Sequence, residues 1–237
     1  MTSAAEFDIQ GRRVGFPIVV RQARMANAVY TVPVDAVRAV LDDPSVEVIE
    51  DVHGAATVVI GVVDYEDNDL GDYEEIMWST MVRSAGDPSV EGTYIWRLPV
   101  NQEFTREAGV RMLGLPKTLE DIDVTYDDHG VTATLTHGGE LVARQRFPSL
   151  ADADPTPMPT PTICLSTIDD VPSVSESHAE GNLRMAFAAD GYELTIGTGP
   201  WADELRTLGL EGATPTVVTV CDDWRASFAT PRPVAAG

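Results

Sequence analysis

The chain lacks several features that would place it in a specialised class of protein. It has two cysteines in 237 residues, and Cys164 and Cys221 form neither a CxxC motif nor a disulfide framework. Its apolar runs, such as Val58–Val63, are far shorter than the ~20 residues of a membrane span. The first residues show no basic region followed by an apolar stretch, which argues against a secretory signal. We therefore expect a cytoplasmic protein that does not insert into membranes.

Basic residues are scarce as well. The chain has 16 Lys and Arg against 38 Asp and Glu, for a net charge of −22. Such a surface repels nucleic acid and anionic membranes, so neither is an expected partner. The four histidines are scattered without metal-ligand spacing, and GxGxxG, P-loop and GxSxG motifs are missing. The sequence therefore predicts no metal and no cofactor.

Lysine is the scarcest of these residue types, because fifteen of the 16 basic residues are arginine and Lys117 is the only lysine. Arginine replaces lysine wherever only positive charge is needed, but it cannot supply a neutral amine. A coding bias against lysine could leave one chance survivor on the surface. However, Lys117 follows the apolar segment Met112–Leu115, and burial lowers the pKa of an amine. This context favours a nucleophilic amine that forms an imine with a carbonyl compound.

Strand patterns outnumber helix patterns and show no βαβ rhythm, which predicts an α+β fold of mainly antiparallel strands. Within Tyr73–Val82, alternation places Glu75 on one face with Tyr73 and Met77. Asn101 is the expected N-cap of a helix from Gln102 to about Met112, which Gly114 ends. Further segments are predicted as follows: strands at 16–21, 28–32, 57–63, 162–168, 183–188, 192–196, 217–221 and 224–229; an acidic loop at 64–72; a three-stranded meander over 122–147; and a stiff Pro-rich connector at about 152–161.

Several of these motifs, in this order, resemble the acetoacetate decarboxylase superfamily. They are Tyr73-Glu74-Glu75, Leu115-Pro116-Lys117 after a helix, and Thr198-Gly199-Pro200 near the end of the chain. The resemblance runs from about Gly15 to Pro231. It implies a single domain over 1–237, folded as a curved sheet or cone-like β-barrel with a few short helices and assembled as a homo-oligomer.

The resemblance also assigns residue roles. It makes Lys117 the imine-forming residue and Glu75 the pocket glutamate of a Tyr-x-Glu motif, and it places Tyr73 in the same substrate pocket. It matches less well elsewhere: Thr118 stands where the decarboxylase has a second lysine, and Ile60 aligns near a second pocket acid. Leu113 stands where a related condensing branch has glutamine, and Arg24 lies next to the position of an early pocket arginine.

These assignments predict a Schiff-base lyase whose partner is a small keto acid. Arg24, Arg97 or Arg111 is expected to bind the substrate carboxylate. Without a second lysine, Met112, Leu113, Leu115 and Ile60 would lower the amine pKa by burial alone. Decarboxylation of a β-keto acid leads the reactions we expect. Condensation of pyruvate with an aldehyde followed by dehydration remains open, as does ligand binding without turnover.

Overall fold

The computed structural model describes residues 6–188 and 190–235, and strands dominate it. The described residues form three short helices: α1 (Val34–Val40), α2 (Glu103–Leu113) and α3 (Pro200–Thr207). The strands are β1 (Glu6–Ile9), β2 (Arg12–Gly15), β3 (Ile18–Pro33), β4 (Val46–Val48), β5 (Ala55–Asn68), β6 (Tyr73–Ser84), β7 (Glu91–Val100), β8 (Lys117–Leu119), β9 (Asp121–Asp127), β10 (Gly130–His137), β11 (Glu140–Pro148), β12 (Thr156–Pro157), β13 (Thr162–Ile168), β14 (Val171–Glu180), β15 (Asn182–Phe187), β16 (Glu193–Ile196), β17 (Val217–Phe228) and β18 (Arg232–Pro233).

Seven strands close into a barrel. Their order is β17-β3-β5-β6-β7-β13-β14, and the pairing of β14 with β17 closes the ring. Neighbours are antiparallel except β7 and β13. A separate four-stranded sheet, in the order β16-β11-β10-β9, packs against the barrel. The predicted mainly antiparallel α+β fold with a curved, barrel-like sheet is confirmed.

The central strands of the barrel have two differently packed faces. The register of β3, β5 and β6 alternates side chains between them. We call one the Lys117 face; it carries Met25, Asn27, Gly61, Val63, Tyr65, Tyr73, Glu75, Met77 and Lys117. The opposite face, with Ala26, Ile60 and Trp78, packs against the four-stranded sheet.

Two strands are longer than the sequence pattern predicts. The predicted strand at 28–32 and residues 18–21 of the predicted strand at 16–21 are parts of β3, which begins at Ile18. The predicted acidic loop at 64–72 is wrong over 64–68, where β5 continues. Asp64 and Glu66 look like loop residues, but both pair with Arg24 on the neighbouring strand, while Tyr65 between them is buried. Charge pairing across the sheet therefore extends a strand that composition alone would end.

The N-cap of α2 also differs from the prediction. The Gln102 side chain accepts a hydrogen bond from the Thr105 backbone N–H at 2.9 Å. Asn101 instead accepts one from the Glu74 backbone N–H at 2.8 Å and so ties β6 to the start of the helix. The helices of the described residues include none that is long and apolar enough to cross a membrane.

Candidate active site

Lys117 is positioned by the turn that follows α2. Gly114 caps the helix in the left-handed conformation, with φ of 64°, and a Cβ there would lie 2.4 Å from the Thr167 carbonyl oxygen. The chain then passes through Pro116 and enters β8, which runs parallel to β7 with Lys117 opposite Leu98. The lysine backbone is therefore fixed by a sheet on one side and a helix end on the other.

The Lys117 side chain runs back along α2, antiparallel to the helix. A Cβ on Gly109 would lie 2.5 Å from Lys117 Cδ and 2.7 Å from Cε, so the methylene stem occupies the space that a side chain at 109 would fill. One helical turn earlier, the Thr105 hydroxyl accepts a hydrogen bond from Nζ at 3.1 Å. Thr105 and Gly109, four residues apart on one helix face, thus line the path of the lysine.

The amine ends beside a carboxylate and two tyrosines. Lys117 Nζ lies 2.7 Å from Glu75 Oε2, and the two side chains are 3% and 8% exposed. Nζ also donates a hydrogen bond to the Tyr73 hydroxyl at 3.3 Å. The Tyr65 hydroxyl donates to the other oxygen of Glu75 at 3.2 Å, and the Tyr65 and Tyr73 rings stack with centroids 4.3 Å apart. The structure therefore brings Lys117, Glu75 and Tyr73 together in a buried cluster.

The charge of this cluster corrects one expectation. Burial lowers the Lys117 pKa, but the Glu75 carboxylate, followed by Tyr73, raises it, and the net pKa lies above the ordinary value of lysine. The apolar surroundings therefore do not produce a neutral amine on their own. The resting site holds an ammonium–carboxylate pair, and a free amine requires that a proton leave Nζ.

The two tyrosines remain neutral at physiological pH. Burial raises the Tyr65 pKa well above its ordinary value, and the Glu75 charge raises it further. Burial also raises the Tyr73 pKa, although the nearby Lys117 charge lowers it in part. Each hydroxyl can therefore donate a hydrogen bond to an oxygen in the site without losing its proton.

Two adjacent glutamates point to different faces of β6. Glu75 faces Lys117, whereas Glu74 lies on the opposite face, where its side chain accepts a hydrogen bond from Asn101 at 2.9 Å. Burial and the neighbouring Asp64 and Asp123 raise the Glu74 pKa to about 7. Glu74 is thus a carboxylate next to Glu75 in the sequence that does not contact Lys117.

The three candidate arginines do not join this cluster. Arg24 lies on the opposite face, pairs with Asp64 at 2.8 Å and stacks over Tyr126 at 3.6 Å. Arg97 pairs with Glu204 and lies over the Trp201 ring. Arg111 is on the outer side of α2, where it contacts Glu107 and the Asp8 carbonyl. The prediction that one of them binds the substrate carboxylate has no geometric support.

The two apolar candidates for the substrate pocket, Leu113 and Ile60, lie in different hydrophobic clusters. Leu113 packs with Met112 and Tyr73 in the core cluster beneath the Lys117 face. Ile60 is fully buried on the opposite face, in the core that contains Trp78. A cavity of about 130 Å³ near Arg24, Tyr126 and Arg184 likewise lies toward that face and does not include Lys117.

Sequence reasoning missed Tyr65, Thr105 and Gly109. Tyr65 was not identified as a site residue because the surrounding acidic residues suggested a loop. Gly109 offered a signal, since a glycine inside a helix costs roughly 1 kcal/mol relative to alanine and needs a packing reason. No sequence signal identifies Thr105, because its contact with Lys117 is recognised only once the lysine side chain is known to run back along the helix.

We expect Gly109→Ala to impair the site while the chain still folds. The added methyl overlaps the Lys117 stem at 2.5 Å and displaces Nζ from Glu75. A shift of about 1 Å at a reacting group can lower a rate by about 100-fold. The rate of imine formation, measured by reduction with borohydride, checks this. Val110→Ala, on the exposed side of the same helix, is the matched control, and equal rates in both variants would contradict the role of Gly109.

The described residues contain no group of three or more His, Cys, Asp or Glu side chains that could hold a metal ion. The groups of the cluster that can take part in a reaction are one amine, one carboxylate and the hydroxyls of Tyr65, Tyr73 and Thr105. This combination can take a proton from the amine, bind a carbonyl oxygen and protonate a leaving hydroxyl group.

Comparison with known proteins gives a consistent result. The acetoacetate decarboxylase (ADC) family model matches residues 10–218. No curated protein sequence matches the chain. Acetoacetate decarboxylase from Legionella pneumophila has a similar structure, with a TM-score of 0.68, 16% identity, and coverage of 93% of this chain and 88% of that chain.

Two further structures extend the similarity. The enduracididine biosynthesis enzyme MppR, complexed with the condensation product of pyruvate and imidazole 4-carboxaldehyde, has a TM-score of 0.65, 16% identity and coverage of 99% of both chains. An acetoacetate decarboxylase-like enzyme from Sphingomonas wittichii RW1 has a TM-score of 0.63, 13% identity, and coverage of 98% of this chain and 100% of that chain. At these identities the structures share a fold, while the family model spans most of the sequence. The chain therefore belongs to the acetoacetate decarboxylase family.

Proposed function

We propose that this protein is a Schiff-base-forming lyase that decarboxylates a small β-keto acid through Lys117. Family membership supports a lyase-type enzyme. The observation that carries the proposal is the contact of 2.7 Å between the buried amine of Lys117 and the Glu75 carboxylate. A lysine that served only as a surface charge would need neither this burial nor a dedicated proton acceptor.

Glu75 solves the problem that the raised Lys117 pKa creates. When the ketone displaces water from the site, a proton moves from Nζ to Glu75 Oε2, and the neutral amine attacks the carbonyl carbon. One proton moves from the nitrogen to the alkoxide oxygen to give a carbinolamine, and protonated Glu75 then gives its proton to the carbinolamine hydroxyl group. That group leaves as water, an iminium ion forms on Nζ, and Glu75 is again a carboxylate.

The iminium ion then takes up the electrons of the bond that breaks. The bond between the α-carbon and the carboxylate cleaves, carbon dioxide leaves, and the electron pair forms an enamine with Lys117. The enamine carbon takes a proton from water, and the hydroxide that remains adds to the iminium carbon. Collapse of that carbinolamine releases the ketone and the Lys117 amine, which takes up one proton from solvent. Glu75, ionised again, stabilises the positive charge on nitrogen when the iminium ion forms.

The position of the three candidate arginines favours decarboxylation over reactions that retain the carboxylate. Arg24, Arg97 and Arg111 are all paired with acids away from the cluster. A carboxylate held by arginine is stabilised as an anion, whereas a substrate carboxylate that has no such partner and lies near the Glu75 carboxylate is destabilised by like charge and is lost more readily as carbon dioxide.

One observation favours a second candidate, the condensation of pyruvate with an aldehyde followed by dehydration. The neutral Tyr65 hydroxyl lies 3.2 Å from Glu75, and by turning its one O–H away from the carboxylate it can donate a hydrogen bond to an aldehyde oxygen or to a departing hydroxyl group. The same iminium ion on Lys117 would then lose a proton rather than carbon dioxide. MppR, whose fold is similar, is complexed with a condensation product of this kind.

The presence of a single lysine makes the central experiment simple. We expect incubation with β-keto acids and borohydride to add one reduced adduct, located at Lys117 by peptide mass spectrometry. Assays for carbon dioxide release and for aldol products, run on the same small keto acids, separate the two reactions. Glu74→Gln is the matched control and should retain the adduct.

The possible results of these assays distinguish the decarboxylase, the condensing enzyme and a binding protein. Adduct formation with carbon dioxide release supports the decarboxylase. An adduct with condensation products supports the second candidate, and an adduct without any product indicates a binding protein. No adduct with any ketone, in folded protein, would refute imine chemistry.

A further inference from the structure

We propose that Asn27, held by Thr219, forms a polar subsite on the Lys117 face that binds a hydrogen-bond donor of the substrate, a hydroxyl or an N–H group. The subsite rests on the proposed imine chemistry at Lys117 and adds to it a chemical preference for the distal end of the substrate.

The first observation is an unpaired buried oxygen. The Asn27 side chain is 8% exposed, and within the described residues no group donates a hydrogen bond to Oδ1. Its amide nitrogen donates to the Thr219 hydroxyl at 3.3 Å, which fixes the direction of the amide. A buried acceptor without a donor costs free energy, so a group of this kind on the face that carries Lys117 indicates a ligand contact.

The second observation is where the oxygen points. Asn27 pairs with Gly61 on β5, and a Cβ on Gly61 would lie 2.1 Å from Asn27 Oδ1. The amide therefore lies over Gly61, in the space that any other residue would occupy. Gly61 in turn pairs with Met77 on β6. The missing side chain lets the amide reach across β5 toward the strand that carries Glu75.

The register relates this amide to the reactive amine. Glu75 is the diagonal neighbour of Gly61 on the same face, and diagonal neighbours are about 7 Å apart. Because Asn27 Oδ1 lies over Gly61 and Lys117 Nζ lies beside Glu75 Oε2, a substrate of a few carbons can place its carbonyl at Lys117 and its distal group at Asn27. Met25 and Met77 flank the intervening space and are only half-buried, so solvent reaches this part of the face.

The charge of the subsite selects the ligand chemistry. Asn27 and Thr219 are neutral, and the unsatisfied atom is an acceptor, which repels a carboxylate and attracts a hydroxyl or N–H hydrogen. A methyl group at the same place would leave Oδ1 buried without a donor. The preferred substrates therefore carry a neutral donor distal to the carbonyl carbon.

A pair of simple ketones tests this preference. 5-Hydroxypentan-2-one and hexan-2-one differ by a hydroxyl in place of a methyl, and each can form an imine that borohydride traps on Lys117. We expect the ratio of the two trapping rates, hydroxyl over methyl, to fall by about tenfold in Asn27→Leu relative to wild type. Asn27→Ala provides a second, smaller variant if leucine impairs folding, which thermal unfolding would reveal.

Asn182→Leu is the matched control, because Asn182 is an exposed asparagine that contacts Asp223 away from the site. We expect it to retain the wild-type ratio. If both ketones form adducts and neither Asn27 variant changes the ratio, the subsite is wrong and the proposed function stands. If wild type forms no adduct with either ketone or with any keto acid, the proposed function is wrong, and the subsite falls with it.

Discussion

Replacement of the single lysine by arginine, Lys117→Arg, is expected to abolish imine formation and turnover. The guanidinium group keeps the positive charge opposite Glu75 but stays protonated, so no neutral nitrogen is available to attack a carbonyl. Loss of a nucleophile lowers a rate by about 10⁴-fold or more. Borohydride trapping followed by mass spectrometry measures the adduct, and product assays measure turnover.

Arginine is a better substitute here than an apolar residue. Lys117 and Glu75 are an ion pair whose side chains are 3% and 8% exposed. Lys117→Met would leave the Glu75 carboxylate buried without a partner, and breaking such a pair costs about 3–5 kcal/mol of folding free energy. Loss of activity in that variant could therefore reflect unfolding, which the retained charge of arginine avoids.

A double variant supplies the matched control. Combining Lys117→Arg with Arg111→Lys restores the original composition but moves the only lysine to an exposed position on α2. We expect no adduct at position 111 and no turnover, because an exposed amine has neither the burial nor the proton acceptor of the original site. Turnover in either variant would end the imine mechanism.

The sequence could predict the chemical parts of the site but not all of their surroundings. The single lysine and the alternation of β6 identify Lys117 and Glu75 as candidates, and the structure brings the two side chains within 2.7 Å. The orientation of Glu75 depends only on the two-residue period of one strand. That local rule needs no knowledge of neighbouring elements.

The arginines could not be assigned to the site or to the surface from the local sequence pattern. Arg24 lies on the strand that carries Asn27, three residues earlier, and this odd separation puts the two on opposite faces. The sequence alone did not give the strand pairing that makes Arg24 a neighbour of Asp64 and Glu66. An arginine is therefore assigned to a site or to a surface pair only once the register is known.

The same limit applies to the fold. The meander of β9, β10 and β11 is visible because its turns are short and rich in glycine. β14 was missed because its alternating serines, Ser173, Ser175 and Ser177, lack the apolar pattern of a strand. Yet β14 closes the barrel by pairing with β17. Its backbone hydrogen bonds, which carry no side-chain signature, determine that closure.

Glu75→Gln is expected to slow the reaction while it lowers the Lys117 pKa. The amide removes the charge that raises this pKa, so the effect of burial, which lowers it, becomes the larger one. More of the Lys117 amine is then neutral at physiological pH. The amide cannot accept the Nζ proton or return it to the carbinolamine hydroxyl. Loss of a general acid–base group lowers turnover by roughly 10²–10⁴-fold.

Because Lys117 is the only lysine, protein labelled with ¹³C-lysine gives one Cε signal whose titration reports this pKa directly. In wild type the raised pKa contributes stability that is present below the unfolded-state pKa of ~10.4 and is lost as pH rises through the folded-state value. In Glu75→Gln the signal should titrate below ~10.4, and stability should instead increase as pH rises through that lower value. Glu74→Gln, which alters the neighbouring carboxylate on the opposite face, should leave the titration unchanged. An unshifted Lys117 titration in Glu75→Gln, together with normal turnover, would show that Glu75 neither holds the ammonium nor moves its proton.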